Sequence, residues 1–183
     1  MIAQANDGSV SKMKAIKLIW LSDRLHLRRY GRMITEDSYF ALPLGPVPSA
    51  TRDILEDNPF LNDIELEYGK EYIQATDKYT YTARKAPDIN VFSQTDIEII
   101  KTIISRYNQF DHFQLSELSH SFPEWAKFKS PLEKKIASRF DINPEDFFAD
   151  YDDGTGLFNE DKEGLELSHK LFQENQKLLS FLQ

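Results

Sequence analysis

The sequence has no cysteine among its 183 residues, which excludes disulfide frameworks, thiol nucleophiles and Cys-ligated zinc and fits a reducing compartment, simplest the cytoplasm. No apolar run approaches the roughly 18 residues of a membrane helix. The opening MIAQANDGSVSK lacks the basic-then-apolar order of a secretory signal. An excess of positive charge is missing too: 22 Lys and Arg against 30 Asp and Glu leave −8, so nucleic acid is not expected as a partner and neither is a membrane. Absent as well are GxGxxG, a phosphate-loop Gly-Lys-Ser/Thr, HExxH and Gly-x-Ser-x-Gly. Four histidines, His26, His112, His120 and His169, are widely spaced, whereas zinc without cysteine wants at least three converging ligands. The stretch from Asp150 to Gly156 has its glycine out of register for a calcium loop. The expectation is therefore no metal, no cofactor and no enzyme.

What is present suits a soluble globular domain: 40% hydrophobic and 28% charged residues. At about 150 residues per domain, the length gives one domain with an appended element. Thirteen Phe, eight Tyr and two Trp exceed what a minimal core demands and leave aromatics for an interface.

Residues 1–10 are polar and aperiodic and are expected as a flexible arm, followed by a domain over 11–150, an acidic linker over 151–164 and a C-terminal amphipathic helix over 165–183. From Ser11 to Tyr30, Met13, Ile16, Trp20 and Leu27 mark one helical stripe while Leu18, Leu21 and Leu25 widen it, which predicts a central helix stopped by Gly31. Short β-like stretches at Met33–Thr35 and Tyr39–Leu42 flank Glu36-Asp37-Ser38 and predict a hairpin. Gly45, Pro46 and Pro48 then launch a helix over about 48–57. Alternation over 63–84, broken at Gly69-Lys70 and Asp77-Lys78, predicts a three-stranded meander. Ser93 opens a capping-box-like start with Ile97, Ile100, Ile104 and Tyr107 at helical spacing. Short helices at Leu115–His120, PLEKKIASRF and NPEDFF read as an all-helical second half. The last helix carries Leu167, Leu171, Leu178 and Leu182 on one stripe. The fold class is α+β, a mainly helical single domain with a small antiparallel sheet.

Several groups invite functional readings. Asp23 and His26, three apart on a helix, suit an acid–base pair or a helix-surface hydrogen bond. Arg24, Arg28, Arg29 and Arg32 form a concentrated positive patch that either meets an acidic partner or complements the helix dipole. The helix pair over 94–121 has helix-turn-helix spacing, yet its second helix offers Gln114, Ser116, Glu117 and Ser119 and no Lys or Arg. The terminal leucine stripe fits a partner groove or its own domain. Tyr68, Tyr72, Tyr79 and Tyr81 fit an interface or an ordinary sheet.

The segment KLIWLSDRLHLRRYGRMITEDSYFALPLGPVPSATRDIL resembles the opening of the Panacea domain, the SocA-like antitoxin family. The resemblance lies in the order of parts: a Lys-Leu-rich helix ending in Tyr30-Gly31-Arg32, then Tyr39-Phe40-Ala41, then Gly45-Pro46-Val47-Pro48-Ser49 opening a helix. Downstream, LSELSHSFPEW with Leu118, His120 and Trp125 is similar to the family's later Leu-x-x-x-Thr-His and Trp positions, with Ser119 where Thr is expected. The resemblance covers about residues 11–140. It implies an antitoxin without chemistry of its own, binding a cognate protein toxin encoded by a neighbouring gene; some relatives hand the toxin to a protease, and some are phage or mobile-element accessory proteins. The expected partner-binding surface comprises Arg28, Arg32, Tyr39, Gly45, Pro46, Val47 and Pro48, because rigid turn geometry holds a recognition surface without an ordering cost. The alternatives are a DNA-binding regulator using the 94–121 helix pair and the arginine patch, and an enzyme centred on Asp23, His26 or His120.

Overall fold

A computed structural model describes residues 1–59, 61–152 and 154–181. It is mainly helical, 54% of residues, with two three-stranded antiparallel sheets. The centre is α1 (Lys12–Tyr30). Ser11 caps its start by accepting from the Lys14 N–H at 3.3 Å, and Gly31, in the left-handed region, ends it with an N–H to Leu27 O at 2.9 Å. Leu18, Trp20, Leu21, Leu25 and Leu27 are fully buried, so neighbours cover the helix on every side, as its wide apolar circumference predicts.

One sheet is the order β3-β2-β6, built from β2 (Tyr39–Leu42), β3 (Gly45–Pro48) and β6 (Phe140–Ile142). The hairpin therefore pairs Tyr39 with Pro48 and Leu42 with Gly45. This corrects the expected Met33–Thr35 partner: Asp23 instead accepts from the Ile34 and Thr35 N–H groups at 2.9 and 3.0 Å and holds that segment against α1. Asp37, in the polar turn, takes the Ala50 and Thr51 N–H groups at 2.8 Å each and so caps α2 (Ser49–Leu55), whose preceding Pro48 has no capping side chain. Strand β6 also corrects the all-helical second half, since Ile142 sits opposite Tyr39 with both buried.

The second sheet has the order β1-β5-β4, with β1 (Ser9–Ser11), β4 (Ile73–Ala75) and β5 (Thr80–Ala83). Residues 1–10 are thus not a free arm: Val10 pairs with Tyr81 and both are buried. The expected meander is halved, because 63–72 form α3 (Asp63–Tyr72). Asn62 and Glu65 make a reciprocal capping box there, and Leu66, Gly69 and Tyr72, not alternate residues, turn inward. The true hairpin turn is at Asp77-Lys78, where Asp77 accepts from the Tyr79 and Thr80 N–H groups.

The remaining helices are α4 (Gln94–Tyr107), α5 (His112–Ser119), α6 (Pro123–Ala126), α7 (Lys129–Glu133) and α8 (Lys162–Ser180). The capping box that begins α4 forms as expected, between Ser93 and Asp96. Pro144–Phe148 make a 3-10 turn capped by Asn143. Helix α8 docks on α1 through Phe172, but the expected stripe faces away: Leu167, Leu171 and Leu178 are exposed, and Leu182 lies outside the described residues. Close approach is possible because Gly31 lacks a Cβ, which would stand 2.6 Å from Ser168 O.

Candidate protein-interaction site

The hairpin turn Pro43-Leu44 is held from beneath by side chains of three helices. Trp125 Nε1 donates to Leu42 O at 2.8 Å, Ser116 Oγ to Leu44 O at 2.9 Å and Lys17 Nζ to Pro46 O at 2.7 Å. His120 stacks on Trp125 at 3.9 Å between ring centres. Ser119 Oγ bonds Ser116 O at 2.7 Å and lies directly under Gly45. Gly45 needs its positive φ of 105°, and a Cβ there would collide with Ser119 Oγ and stand 2.6 Å from Lys17 Nζ. A hairpin with three carbonyls tied to buried side chains has few alternative poses.

Above this clamp the turn presents apolar atoms to solvent. Leu44 is 55% exposed, Phe113 at the start of α5 is 68% and Tyr79 in the β4–β5 turn is 62%. Between them runs an apolar groove of about 750 Å³. Its walls are Met13 and Ile16 of α1, Leu42, Leu44 and Val47 of the hairpin, and Tyr79 and Phe113 opposite. Two cations at its rim share one carboxylate: Lys12 meets Glu56 at 2.7 Å and Arg52 meets it at 3.0 Å. Lys17 lies on the floor at 1% exposure, and burial without a compensating carboxylate pulls its ammonium from 10.5 down to about 7.

The expected site residues divide. Val47 lines the groove, half-buried. Gly45, Pro46 and Pro48 are buried and set the hairpin's shape without forming its surface. Tyr39 is buried, its hydroxyl donating to Asp23 at 2.7 Å. Arg32 is partly exposed but tied to Asp96 at 2.6 Å across the start of α4. Arg28 is buried inside the molecule: it bonds Glu160 at 2.6 Å and donates to Phe148 O at 2.8 Å, Ala149 O at 3.0 Å and Phe158 O at 3.0 Å. Those bonds tie Phe148, Ala149, Phe158 and Glu160 to α1, so the acidic segment is no loose linker, and Phe158 within it is buried.

The arginine patch therefore does not exist as a surface. Arg24 is fully buried, paired with Glu124 at 3.0 Å and flanked by the Phe122 and Phe158 rings at 4.8 Å each. Burial raises the Glu124 carboxyl, which Arg24 partly offsets. Asp23, His26 and His120 belong to separate networks. Burial lifts the Asp23 carboxyl to about 6, opposed by hydrogen bonds from Thr35, Tyr39 and Ile34. Burial lowers His26; its Nδ1–H donates to Arg32 O at 2.9 Å, while Nε2 lies 3.1 Å from the Thr95 hydroxyl and 3.0 Å from Asp96, a carboxylate it shares with Arg32. Among the described residues, no group of three or more His, Asp or Glu is placed to hold a metal ion, and no helix is long and apolar enough to cross a membrane.

Of the groove's exposed side chains, Tyr79 belongs to the tyrosine set that the sequence offers as an interface, whereas nothing singles out Leu44 or Phe113. For Leu44 the signal was available in its position at a proline-bounded turn, while Phe113 and Tyr79 reach the groove only through tertiary packing.

A mainly helical α+β domain that clamps a hairpin beside an apolar groove is the class of protein these features define. Residues 16–126 match the family described as antitoxin SocA-like, Panacea domain. The match spans 111 of the 183 residues, and the chain belongs to this family. Comparison with curated proteins and with solved structures gives no significant match. The residues of the clamp, from Lys17 and the Gly45–Pro48 strand to Ser116, His120 and Trp125, all fall within the matched segment.

Proposed function

We propose that this chain neutralises a cognate protein toxin by direct binding, with the clamped hairpin and its groove as the contact surface. The carrying observation is the clamp itself: buried Lys17, Ser116 and Trp125 fix three hairpin carbonyls so that Leu44 stands exposed beside Phe113 and Tyr79. Large apolar and aromatic side chains held rigidly are the usual anchors of protein interfaces. They lose little conformational entropy on binding. A typical interface of about 1,600 Å² in total extends beyond the groove onto neighbouring surface. The acidic remainder of the chain, net −8, favours encounter with a basic partner. Family membership supports the toxin as the partner; burial of Arg24 and Arg28 removes the basic patch on which a DNA-binding reading depended.

Co-expression with the product of the neighbouring gene tests the proposal. Growth arrest by that product should be relieved by the wild-type chain and restored by Leu44→Asp or Phe113→Asp, both exposed positions where the fold tolerates charge. Relief that is absent, or equally strong with both variants, overturns it. Measuring the toxin's half-life in the same cells separates the modes: sequestration leaves it unchanged or longer, delivery to a protease shortens it.

A further inference from the structure

This inference rests on the toxin-binding reading and concerns what the groove recognises. Arg24 Nη1 lacks a hydrogen-bond partner, but the ionisable side chains buried along α1 each have an opposite charge or several hydrogen bonds, with one exception. Arg24 has Glu124, Arg28 has Glu160, and Asp23 has the Thr35 and Tyr39 hydroxyls and two N–H groups. Lys17 has Pro46 O alone, and among the described residues no carboxylate lies within ion-pair distance of it. An ammonium carries three donors, so two are without an acceptor. A buried cation in this state is costly until a carboxylate reaches it. The groove above is otherwise apolar, and its charged lining consists of Lys12, Lys17 and Arg52 against Glu56, an excess of cations in a chain of net −8.

We propose that the groove takes a segment of the partner protein in which an Asp or Glu side chain is flanked by large apolar residues. The apolar residues pack between Leu44, Phe113 and Tyr79, and the carboxylate descends to Lys17. Such a segment matches both features of the site, whereas a purely apolar segment leaves the ammonium bare and a basic one adds like charge. Overall charge and groove charge then have separate roles: the acidic surface attracts the toxin as a whole, and the groove selects one acidic point upon it.

The test pans a random twelve-residue peptide library, displayed on phage, against the immobilised full chain. Enriched peptides should share an Asp or Glu beside Leu, Ile or Phe. The best of them, synthesised and measured by fluorescence anisotropy, should bind Lys17→Met at least about tenfold more weakly. The same peptide with its acid replaced by the amide should bind wild type equally weakly, and should lose nothing further on Lys17→Met. If Lys17→Met lacks a cooperative unfolding transition, Lys17→Gln, which can still reach Pro46 O, takes its place. Enrichment of neutral or basic residues at that point, undiminished binding by the variant, or no enrichment at all overturns the proposal. Growth rescue retained by Lys17→Met but lost by Leu44→Asp sinks this inference and leaves toxin binding standing; rescue retained by both sinks the toxin-binding surface itself.

Discussion

Replacing Lys17 by Met makes the isolated protein more stable at neutral pH and less stable in alkali. In the fold the ammonium is pulled from 10.5 to about 7 by burial. The unfolded chain therefore binds more protons than the folded one between those two values, and wild-type stability rises with pH across that window. The burden is about 5 kcal/mol in full well below pH 7 and about 4 kcal/mol at pH 7. Methionine removes it, but leaves Pro46 O without its donor, at a cost of about 2 kcal/mol. The variant should thus gain about 2 kcal/mol at pH 7. The advantage should shrink by at most about 1.4 kcal/mol per pH unit and change sign near about pH 9. Urea unfolding followed by circular dichroism at steps from pH 6.5 to 10, with the slopes compared between the two proteins, measures the difference free of other titrating groups. A difference that stays flat over this range would show that Lys17 remains charged at no penalty. The counterion-free environment on which the groove's selectivity depends would then be wrong.

Three further perturbations probe the frame. Gly31→Ala forces a non-glycine residue to φ 70° and drives a methyl against Ser168 O; it should cost about 2–4 kcal/mol and speed limited proteolysis within 162–180, and unchanged proteolysis would refute the docking of α8. Phe172→Ala should cost about 3–4 kcal/mol in urea unfolding, while Leu178→Ala, at a position 63% exposed, should stay within about 0.5; the reverse order would mean that the leucine stripe, not Phe172, faces α1. Arg28→Met leaves the Glu160 carboxylate to Arg29 at 3.6 Å and removes the donor from the Phe147, Phe148 and Phe158 carbonyls, so a loss of about 3–5 kcal/mol and faster amide exchange over 147–152 and 154–160 are expected, and wild-type exchange there would show the segment is held by something else.

Most of the helical frame was legible in the sequence because its signals are local. Ser11 and Gly31 bound α1, and Ser93 with Asp96 opens α4, each within one turn of the backbone it satisfies. The sheets were not, because their pairings join residues far apart. Ser9–Ser11 carries one apolar residue and becomes a strand only through Tyr81, and Phe140–Ile142 only through Tyr39. Alternation at Ile64, Leu66 and Tyr68 suggested a strand, yet Ile64 and Tyr68 are exposed on a helix that buries little. The capping pair Asn62 and Glu65 was the better guide there. The arginines of α1 misled for a related reason: a sequence shows charge but not the carboxylates and carbonyls that fold back to meet it.

The same distinction explains why the family's motif is a poor map of the contact surface. Gly45, Pro46 and Pro48 carry the resemblance to the family, and in this chain a left-handed glycine and two residues without N–H groups fix a hairpin against α1 and α5. Trp125 and Ser116 belong to that arrangement by engaging hairpin backbone, and His120 by stacking on Trp125. None of these residues needs to touch a partner, and most are too buried to do so. In the contact surface proposed above, recognition falls instead to Leu44, Phe113 and Tyr79, whose identities the clamp does not constrain. Substitutions at those three positions leave every clamp bond in place, so partner choice can change while the hairpin keeps its pose. Only Lys17 belongs to both sets, holding Pro46 O from within while lining the groove from below, and for that reason it is the residue at which stability and recognition pull in opposite directions.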